Sequence, residues 1–400
     1  MRGGVLAPEW PRGAVAGQPH AGVRRTRLAL ISSQAYSITN FRGPLIRDWI
    51  ARGVRVFALA PDYDAASRAA VAALGAEPVD YSLERASIRP LRDLLDMFGL
   101  ARILRRLRPD FTFTYFIKPV IYGTVAARLA GVPNCFAMVE GAGYVYSDGG
   151  EALSLRRRLL RTAVTALYRV GLSGAHGVFF LNRDDVDLFV GRRMVAPDRV
   201  RMLGGIGVDL AWFAVAAPVL DPPTFILAAR LLAEKGVREY VEAARRVRAA
   251  HPSARFLLLG GTDLNPGSVS ESELRLWHTE GVVEWHGHVE DVRPMLAQAS
   301  VFVLPSYYRE GVPRSIQEAM AMGRPIITTD TAGCRDTVEP GANGWLVPVR
   351  DPAALAAAMS TFIESPEMIP RMGAESRRRA EARYDVRHVN ARIIAAMGLG

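Results

Sequence analysis

The sequence predicts an α/β fold of two doubly wound, Rossmann-like parallel-sheet domains that face each other across a cleft. From Arg27 onward, short apolar runs rich in β-forming residues alternate with stretches of helical pattern. Strands that alternate with helices form parallel sheets covered on both faces. The rhythm breaks once, at the glycine-rich connection GGIGVDLAWFAV of 204–215, which indicates a join between two domains. A length of 400 residues also exceeds one core of ordinary size.

The predicted strands fall into two series. The first domain (27–205) contains the runs RLALISS, VRVFALA, FTFTYF, NCFAMVE and GVFFLN, and the second (218–380) contains TFILAAR, ARFLLLGG, VVEWHGH, VFVLPS, RPIITTD and GWLVPV. Residues 206–217 are predicted to link the domains, and the helical segment 381–400 is expected to cross back to the first. Residues 1–26 are rich in Gly, Pro and Arg and lack an apolar core, which predicts a disordered extension or a misassigned start.

The composition excludes several classes of function. Half of the residues are hydrophobic, yet no long apolar run occurs, so we expect a soluble chain without a membrane span. The formal charge of +10 favours an anionic partner. No basic block with interleaved aromatic residues is present, which argues against nucleic acid. The two cysteines, Cys135 and Cys334, lack metal-ligand spacing and indicate a reducing cytoplasm.

One basic stretch has the pattern of an interfacial helix. In LSLRRRLLRTAVTALYRV, the apolar residues share one broad face that is bordered by arginines; they are Leu155, Leu159, Leu160, Val164, Leu167 and Tyr168. Such a helix can lie on an anionic membrane surface. The alternative is a helix that packs on its own core with a solvated rim, which is the commoner case.

Two carboxylates mark the segment 301–330. Glu310 and Glu318 stand in a strand, loop, helix and strand pattern at the carboxyl end of a predicted strand, where open parallel sheets bind ligands. Pro313 suits a first helical position, and the backbone at the helix start is a predicted seat for a diphosphate; the seat comprises Gly311, Val312, Pro313 and Ser315. Carboxylates can accept hydrogen bonds from sugar hydroxyls. The alternative is that Glu318 is only solvated.

Two cations are predicted at the same sheet edge. Arg230 and Lys235 follow the first strand of the second domain, where they would clamp a diphosphate and stabilise it as a leaving group. Alternatively, Glu234 and Glu239 pair them at the surface. In an arginine-biased chain with only two lysines, a retained lysine weakly hints at a role for a compact ammonium.

The first domain offers weaker candidates in the segments predicted as strand-end loops. These are Asn40 and Arg42 in the segment 33–43, Lys118 in IKP, and Glu140 in EGAGYVYSD. Glu140 is either a cleft carboxylate or a capping group, and Asn182 with Asp185 is either a helix cap or a substrate contact.

Two patterns that resemble metal motifs are assigned no metal. Asp62 and Asp64 form a short acidic tripeptide that is common by chance. His286 and His288 are expected to alternate on a strand as a structural pair.

The segment REGVPRSIQEAMAMGRPIITTD, followed by GCRDTVEPGANGWLVPVRDPAAL, resembles the C-terminal domain of the family 4 glycosyltransferases. The resemblance extends to ARLLAEKG and the GVD at 207–209, and more loosely to IKPVIYG, EGAGYVYSD and FFLNRDD. That family has two domains in the GT-B architecture and retains the anomeric configuration. The REG-x-PRS form is similar to the branch that acts on lipid-linked sugars in O-antigen, capsule and N-glycan assembly.

The resemblance implies a function and roles for the site residues. It implies transfer of a hexose or N-acetylhexosamine from a UDP-sugar to a polyprenyl-diphosphate-linked or other glycan acceptor, without a metal or another cofactor. The net charge and the amphipathic helix pattern predict a cytoplasmic enzyme that associates peripherally with the inner face of the cell membrane. Arg230 and Lys235 would hold the donor diphosphate, Glu310 the hexose hydroxyls and Glu318 the ribose. The first domain departs from the family pattern, since SITNFRG replaces a Gly-Gly loop and EGAGYVYSD has no histidine, so Lys118 and Glu140 are only candidates for the acceptor side.

Two other functions stay open. A non-hydrolysing UDP-sugar epimerase shares the two-domain architecture. A non-catalytic partner would keep the fold and only bind a nucleotide sugar, although Arg230, Lys235, Glu310 and Glu318 are all retained.

Overall fold

The computed structural model describes residues 25–84, 89–146, 155–262, 265 and 267–400. The predicted extension at 1–26 lies almost entirely outside the described residues. The chain divides into two units. Within the described residues, unit 1 comprises 25–140, 155–203 and 387–400, and unit 2 comprises 141–146 and 204–386.

Unit 1 is built on a seven-stranded sheet in the order β3-β2-β1-β4-β5-β6-β7. Its strands are β1 (Arg27–Ile31), β2 (Arg55–Ala60), β3 (Glu77–Asp80), β4 (Phe111–Tyr115), β5 (Asn134–Val139), β6 (Gly177–Phe180) and β7 (Val200–Met202). Its first six helices are α1 (Ala35–Ala51), α2 (Ala65–Ala73), α3 (Pro90–Leu107), α4 (Thr124–Leu129), α5 (Leu155–Leu172) and α6 (Arg183–Gly191), and a π-helical turn, Pro119–Gly123, precedes α4.

Unit 2 is built on a six-stranded sheet in the order β10-β9-β8-β11-β12-β13. Its strands are β8 (Thr224–Ala228), β9 (Arg255–Leu259), β10 (Glu284–Trp285), β11 (Val301–Leu304), β12 (Ile326–Thr329) and β13 (Gly344–Val347). The helices that follow α6 along the chain are α7 (Val237–Ala250), α8 (Glu271–Thr279), α9 (Arg293–Ala297), α10 (Arg314–Ala321), α11 (Pro352–Glu364), α12 (Met368–Arg383) and α13 (Val386–Ala396).

The strand pairs in both sheets are parallel, as the alternating pattern predicts. The central strands are buried apolar runs because helices cover both faces of each sheet. In unit 2, Phe225 and Phe256 stack with their ring centres 5.4 Å apart. The hydroxyl of Tyr240 on α7 donates to the carbonyls of Phe225 and Leu257, at 3.0 and 3.1 Å, so this helix is fixed directly to the sheet.

Some predictions about local structure are wrong, and two strands were not predicted. The segment 33–43 was predicted to be a strand-end loop, but α1 begins at Ala35, whose amide donates to Asp62 Oδ1 at 2.7 Å, and the helix continues through Pro44. The edge strands β3 and β7 were not predicted because both are short and less buried than the central strands. His286 and His288 do not share a strand face, because β10 ends at Trp285 and Gly287 has φ +68°.

Within unit 2, the predicted linker is hydrogen-bonded to the segment that leads from α12 into α13. The amide of Val208 donates to the Tyr384 carbonyl at 2.7 Å, and the amide of Val386 donates to the Val208 carbonyl at 3.1 Å. Residues 387–400 then pack with unit 1, where Asn390 Nδ2 donates to Asp48 Oδ2 at 2.7 Å. Residue 381, the predicted start of this segment, lies within α12 instead. In the described part of the chain, no helix combines the length and apolarity that a membrane span requires.

Candidate active site

The candidate site begins at the carboxyl edge of the unit 2 sheet. Strands β8 and β11 pair in parallel, so the loops that follow them leave the sheet at the same edge. The loop after β8 carries Arg230, which is exposed, and ends in a 3-10 turn, Ala233–Lys235. The loop after β11 runs to the start of α10. The amides of Tyr307 and Tyr308 both donate to the Glu234 carbonyl, at 2.9 and 3.1 Å, so backbone hydrogen bonds join the two loops.

Lys235 and Glu310 form a buried ion pair in which the ammonium donates to Glu310 Oε1. Each side chain is 11% exposed. The hydroxyl of Ser306 donates to the same carboxylate oxygen at 3.0 Å, and the Lys235 ammonium lies 5.5 Å from the centre of the Tyr308 ring. Lys235 is therefore not paired at the surface with Glu234 or another acid, which was the alternative.

The start of α10 has no capping side chain. Pro313 is the residue before the helix rather than its first residue, and it makes no side-chain hydrogen bond to the helix end. The first amides of a helix have no intrahelical partner and carry the positive end of the dipole. Among the predicted seat residues, Gly311, Val312 and Pro313 are buried, whereas Ser315 is partly exposed.

Glycine backbones from two other segments pack against the loop that carries Glu310. A Cβ on Gly333, which has φ +77°, would overlap the carbonyl oxygen of Gly311. A Cβ on Gly141 would lie 2.7 Å from the Gly311 amide nitrogen and 2.8 Å from the Arg309 carbonyl oxygen. These contacts require the absence of a side chain, so the two glycines set the position of the Glu310 backbone.

Glu318 lies on the first turns of α10 and is not solvated. Its Oε1 accepts a hydrogen bond from Arg314 Nε at 2.7 Å, and only 15% of its side chain is exposed. Burial raises the pKa of Glu318, and the positive charge of Arg314 opposes that rise. The carboxylate is therefore held in a desolvated position, where hydrogen-bond donors of a ligand would stabilise its charged form.

In unit 1, Arg42 and Glu140 form a second buried ion pair. Arg42 is 1% exposed, and its guanidinium lies 4.7 Å from the centre of the Tyr115 ring. The Tyr115 hydroxyl is hydrogen-bonded to Ser37 at 2.9 Å, and Ser37 to Ser32 at 2.8 Å. A buried arginine that pairs with a carboxylate fixes that carboxylate, so Arg42 is placed to orient Glu140 at the carboxyl end of β5.

The other two unit 1 candidates make different contacts. Asn40 is on the second turn of α1, where its side chain donates to the Tyr36 carbonyl at 2.9 Å. Lys118 is turned toward α3, and its ammonium donates to Asp93 Oδ1 and to the Glu84 carbonyl, both at 2.6 Å.

Sequence reasoning missed several residues of both sites. Ser306, Arg314 and Tyr115 contact the predicted carboxylates or Arg42 but have no motif of their own. Of these, only Arg314 had a readable signal, because it stands four residues before Glu318 on a predicted helix.

The acidic motif at residues 62–64 is occupied by local structure. Asp62 accepts the amide of Ala35, and Asp64 caps α2 in a reciprocal pair with Ser67. Asn182 likewise caps α6, since its Oδ1 accepts the amide of Asp185 at 2.8 Å. Among the described residues, no group of three or more His, Cys, Asp or Glu side chains could hold a metal ion.

Comparison with known proteins identifies the family. Residues 39–205 match the model "Glycosyl transferase 4-like domain", and residues 222–365 match "Glycosyl transferases group 1". A relative from Campylobacter jejuni, "N,N'-diacetylbacillosaminyl-diphospho-undecaprenol alpha-1,3-N-acetylgalactosaminyltransferase", is 28% identical over 86% of this chain and 90% of its own length. A relative from Escherichia coli, "UDP-Gal:alpha-D-GlcNAc-diphosphoundecaprenol alpha-1,3-galactosyltransferase", is 25% identical over 66% of this chain and 69% of its own length.

A solved structure shows the same fold. HepE of Anabaena, crystallised with UDP and glucose, aligns with a TM-score of 0.73 and 16% identity over 94% of this chain and 100% of its own. Together, the two family models cover most of both units, with the Lys235–Glu310 and Arg42–Glu140 pairs inside them. The chain therefore belongs to the group 1, family 4-like glycosyltransferases, and its two parallel-sheet domains have the GT-B fold.

Proposed function

We propose that this glycosyltransferase moves a hexose or N-acetylhexosamine from a UDP-sugar to a polyprenyl-diphosphate-linked acceptor in polysaccharide assembly, with retention at the anomeric carbon. The observation that carries the proposal is the buried Lys235–Glu310 pair beside the uncapped start of α10. The ammonium and the backbone amides can bind a diphosphate, and the carboxylate can accept hydrogen bonds from the hydroxyls of the attached sugar.

The roles of the residues that would bind the UDP-sugar follow from their charges at the sheet edge. Lys235 has three N–H donors, so it can hold Glu310 and still donate to a phosphate oxygen. Arg230 and the amides at the start of α10 would share the remaining negative charge of the UDP leaving group. Glu310 would accept sugar hydroxyls near the reacting carbon, and Glu318 would accept the ribose hydroxyls.

In this proposal the protein's own cations stabilise the leaving group without a metal ion. UDP leaves from the same face on which the acceptor hydroxyl attacks, so the anomeric configuration is kept. The bond from the anomeric carbon to the diphosphate oxygen breaks, and a bond to the acceptor oxygen forms. The acceptor proton passes to the departing diphosphate or to solvent. Chelation should leave the rate unchanged, and nuclear magnetic resonance of the product should show the donor's anomeric configuration.

The acceptor class is taken from the two named relatives, both of which act on sugars linked to diphosphoundecaprenol. Glu140 is the unit 1 group best suited to an acceptor hydroxyl, because Arg42 fixes its carboxylate at the end of β5. Such an acceptor is embedded in a membrane, so we infer a cytoplasmic enzyme that binds peripherally to the inner face of the cell membrane.

The test is a transfer assay with a panel of UDP-sugars and a lipid-diphosphate-sugar acceptor, read as UDP release and as a product of higher mass. Release of UDP that requires the acceptor supports the proposal. Conversion of UDP-N-acetylglucosamine alone into another sugar nucleotide, without UDP release, would support an epimerase instead. UDP binding without turnover on any acceptor would support the non-catalytic alternative.

A further inference from the structure

Gln317, on the first turn of α10, is a polar side chain to which the proposed function assigns no role. It stands next to Glu318 in the sequence and is fully buried. Its Nε2 donates to the Val312 carbonyl at 3.0 Å, and its Oε1 accepts a hydrogen bond from the Gly207 amide at 3.2 Å. The two ends of the side-chain amide therefore join the loop that carries Glu310 to the linker 206–217.

The two backbone neighbours of this side chain require an amide at position 317. Val312 offers a carbonyl, which only accepts a hydrogen bond, and Gly207 offers an N–H, which only donates. The residue that joins them must donate at one end and accept at the other, which glutamine does. A carboxylate could only accept and an aliphatic side chain could do neither, so either replacement would leave a buried backbone group without a partner.

The Val312 end of the connection lies in the predicted diphosphate seat. The Val312 carbonyl belongs to the peptide group that joins Val312 to Pro313, immediately before the first helical residue, Arg314. Because proline has no N–H, this carbonyl is the only hydrogen-bonding group of that peptide. The hydrogen bond from Gln317 thus orients a peptide plane that lies between the seat amides of Val312 and Ser315.

The Gly207 end of the connection lies where the linker contacts the segment that returns to unit 1. The chain enters unit 2 after residue 203 and leaves it after Val386. Val208 and Asp385 form a parallel bridge, and a Cβ on Gly207, which has φ +85°, would lie 2.8 Å from Val386 Cα. The linker and the returning segment are therefore in direct backbone contact at the residue that Gln317 holds.

A second contact attaches the other end of α10 to the same linker. Arg377 donates to the carbonyls of Ala321 and Phe213, at 2.7 and 3.1 Å. Helix α10 is thus fixed to the linker near its start and at its end. Of these two contacts, only that of Gln317 reaches the predicted diphosphate seat.

We propose that Gln317 is a positioning residue that couples the diphosphate seat to the linker, so that UDP binding and ordering of the linker favour each other. The coupling passes from the Val312 carbonyl through the side-chain amide of Gln317 to the Gly207 amide. UDP that fixes the seat backbone strengthens the Gln317 contacts, and by reciprocity an ordered linker prepares the seat for UDP. This inference rests on the proposed donor site and adds a residue that acts through Val312.

Hydrogen–deuterium exchange of the full chain, with and without UDP, tests the coupling. In the wild type, UDP should slow exchange about tenfold in the seat, 311–315, and also in the linker segment 205–209. Gln317→Met has a side chain of similar length that cannot form these hydrogen bonds. It should keep the protection of 311–315 by UDP, lose that of 205–209, and bind UDP about tenfold more weakly, because the coupling is reciprocal.

Asn343→Leu is the matched control, because Asn343 is also a fully buried side-chain amide that joins two backbone groups of unit 2. Its Oδ1 accepts the Glu339 amide at 2.8 Å, and its Nδ2 donates to the Thr337 carbonyl at 3.0 Å. Asn343 directly precedes β13 and so lies at the amino edge of the sheet, opposite the candidate site. The control should lose stability in chemical unfolding, as Gln317→Met does, but keep its UDP affinity and the protection of both segments.

Three results would overturn the coupling. The first is a wild type in which UDP protects 311–315 but not 205–209; it needs no variant and leaves the donor site intact. The second is protection of 205–209 by UDP that persists in Gln317→Met. The third is loss of that protection in Asn343→Leu as well, which would reflect a general loss of stability.

The same measurement separates this inference from the proposed function. Protection of neither segment by UDP in the wild type would defeat the donor site and the coupling together. Protection of both segments that Gln317→Met uncouples, without transfer to any acceptor, would defeat the proposed transfer and leave the coupling intact.

Discussion

Lys235 and Glu310, which are 75 positions apart in the chain, meet as a buried ion pair at the carboxyl edge of the unit 2 sheet. The pair joins the loop after β8 to the loop after β11. Ser306 binds the same Glu310 oxygen, so the carboxylate is held from two sides.

Glu310→Gln should lower the transfer rate by about a hundredfold or more while the protein stays folded, because the amide keeps the size but loses the charge that orders Lys235 and the sugar hydroxyls. Lys235→Ala should cost a similar factor by removing a cation from the leaving group. The measurement is the rate of UDP release with acceptor, alongside a thermal melt. Glu280→Gln, at an exposed pair with Arg245, is the matched control and should be fully active. Full activity of Glu310→Gln would exclude Glu310 from the site.

The positions of the site residues on the sheet edge could be predicted from the sequence, but the pairs that they form could not. Buried parallel strands are continuous apolar runs, so their ends, and with them Arg230, Lys235 and Glu310, could be placed on one edge of a sheet. The pairing of Lys235 with Glu310 depends on which strands are neighbours. Strand order is set by tertiary packing and is not encoded in any short stretch of sequence.

The fold was predictable where the strands form apolar runs, and two short edge strands of unit 1 were missed. The edge strands β3 and β7 are short and contain no buried residue, so no continuous apolar run marks them. Helix α1 begins at Ala35, within the segment 33–43 that was predicted to be a strand-end loop.

Gly333→Ala should lower the transfer rate by about a hundredfold, although it changes only the backbone contacts of the site. The new methyl group would overlap the Gly311 carbonyl oxygen and displace the loop that carries Glu310, and a misplacement of about 1 Å can cost a hundredfold in rate. Gly281→Ala is the matched control, because Gly281 also has a positive φ, +69°, but faces open space. It should lose about 1 kcal/mol of stability and keep its activity. If both variants are equally active, the Gly333 contact does not position the site.

Arg324→Met should destabilise unit 2 by about 2–5 kcal/mol, because it leaves buried carbonyl groups without a hydrogen-bond donor at about 1–3 kcal/mol each. The guanidinium is fully buried and donates to the carbonyls of Leu296 and Ala216, at 2.8 and 2.7 Å, so it ties the segment before β8 to α9. Burial lowers the pKa of Arg324 to about 10, so it is still charged at neutral pH. Chemical unfolding is the measurement. Arg246→Met, at an exposed pair with Glu242, should change stability by less than about 0.5 kcal/mol, and a similar loss in both variants would contradict the prediction.

Glu318→Gln should weaken UDP binding at about pH 7 yet gain stability relative to the wild type as the pH rises. Because burial raises the pKa of Glu318, the folded protein binds this proton more readily than the unfolded chain does. The stabilising contribution of Glu318 is therefore complete below its ordinary pKa of 4.5 and is lost as the pH rises through the higher folded value. Thermal melts between about pH 4 and pH 7, with calorimetric UDP binding, measure both effects.

Glu375→Gln is a control for Glu318→Gln, because its effect on stability should depend on pH in the opposite direction. Hydrogen bonds from Arg378 and Arg379 lower the pKa of Glu375 to about 2. Its contribution is present above its ordinary value of 4.5 and fades as the pH falls toward the folded value. The Glu375 variant should thus lose stability relative to the wild type near neutral pH and recover on acidification, with UDP binding unchanged. Parallel pH profiles for the two variants would show that Glu318 is not desolvated, and unchanged UDP affinity in Glu318→Gln would remove it from the donor site.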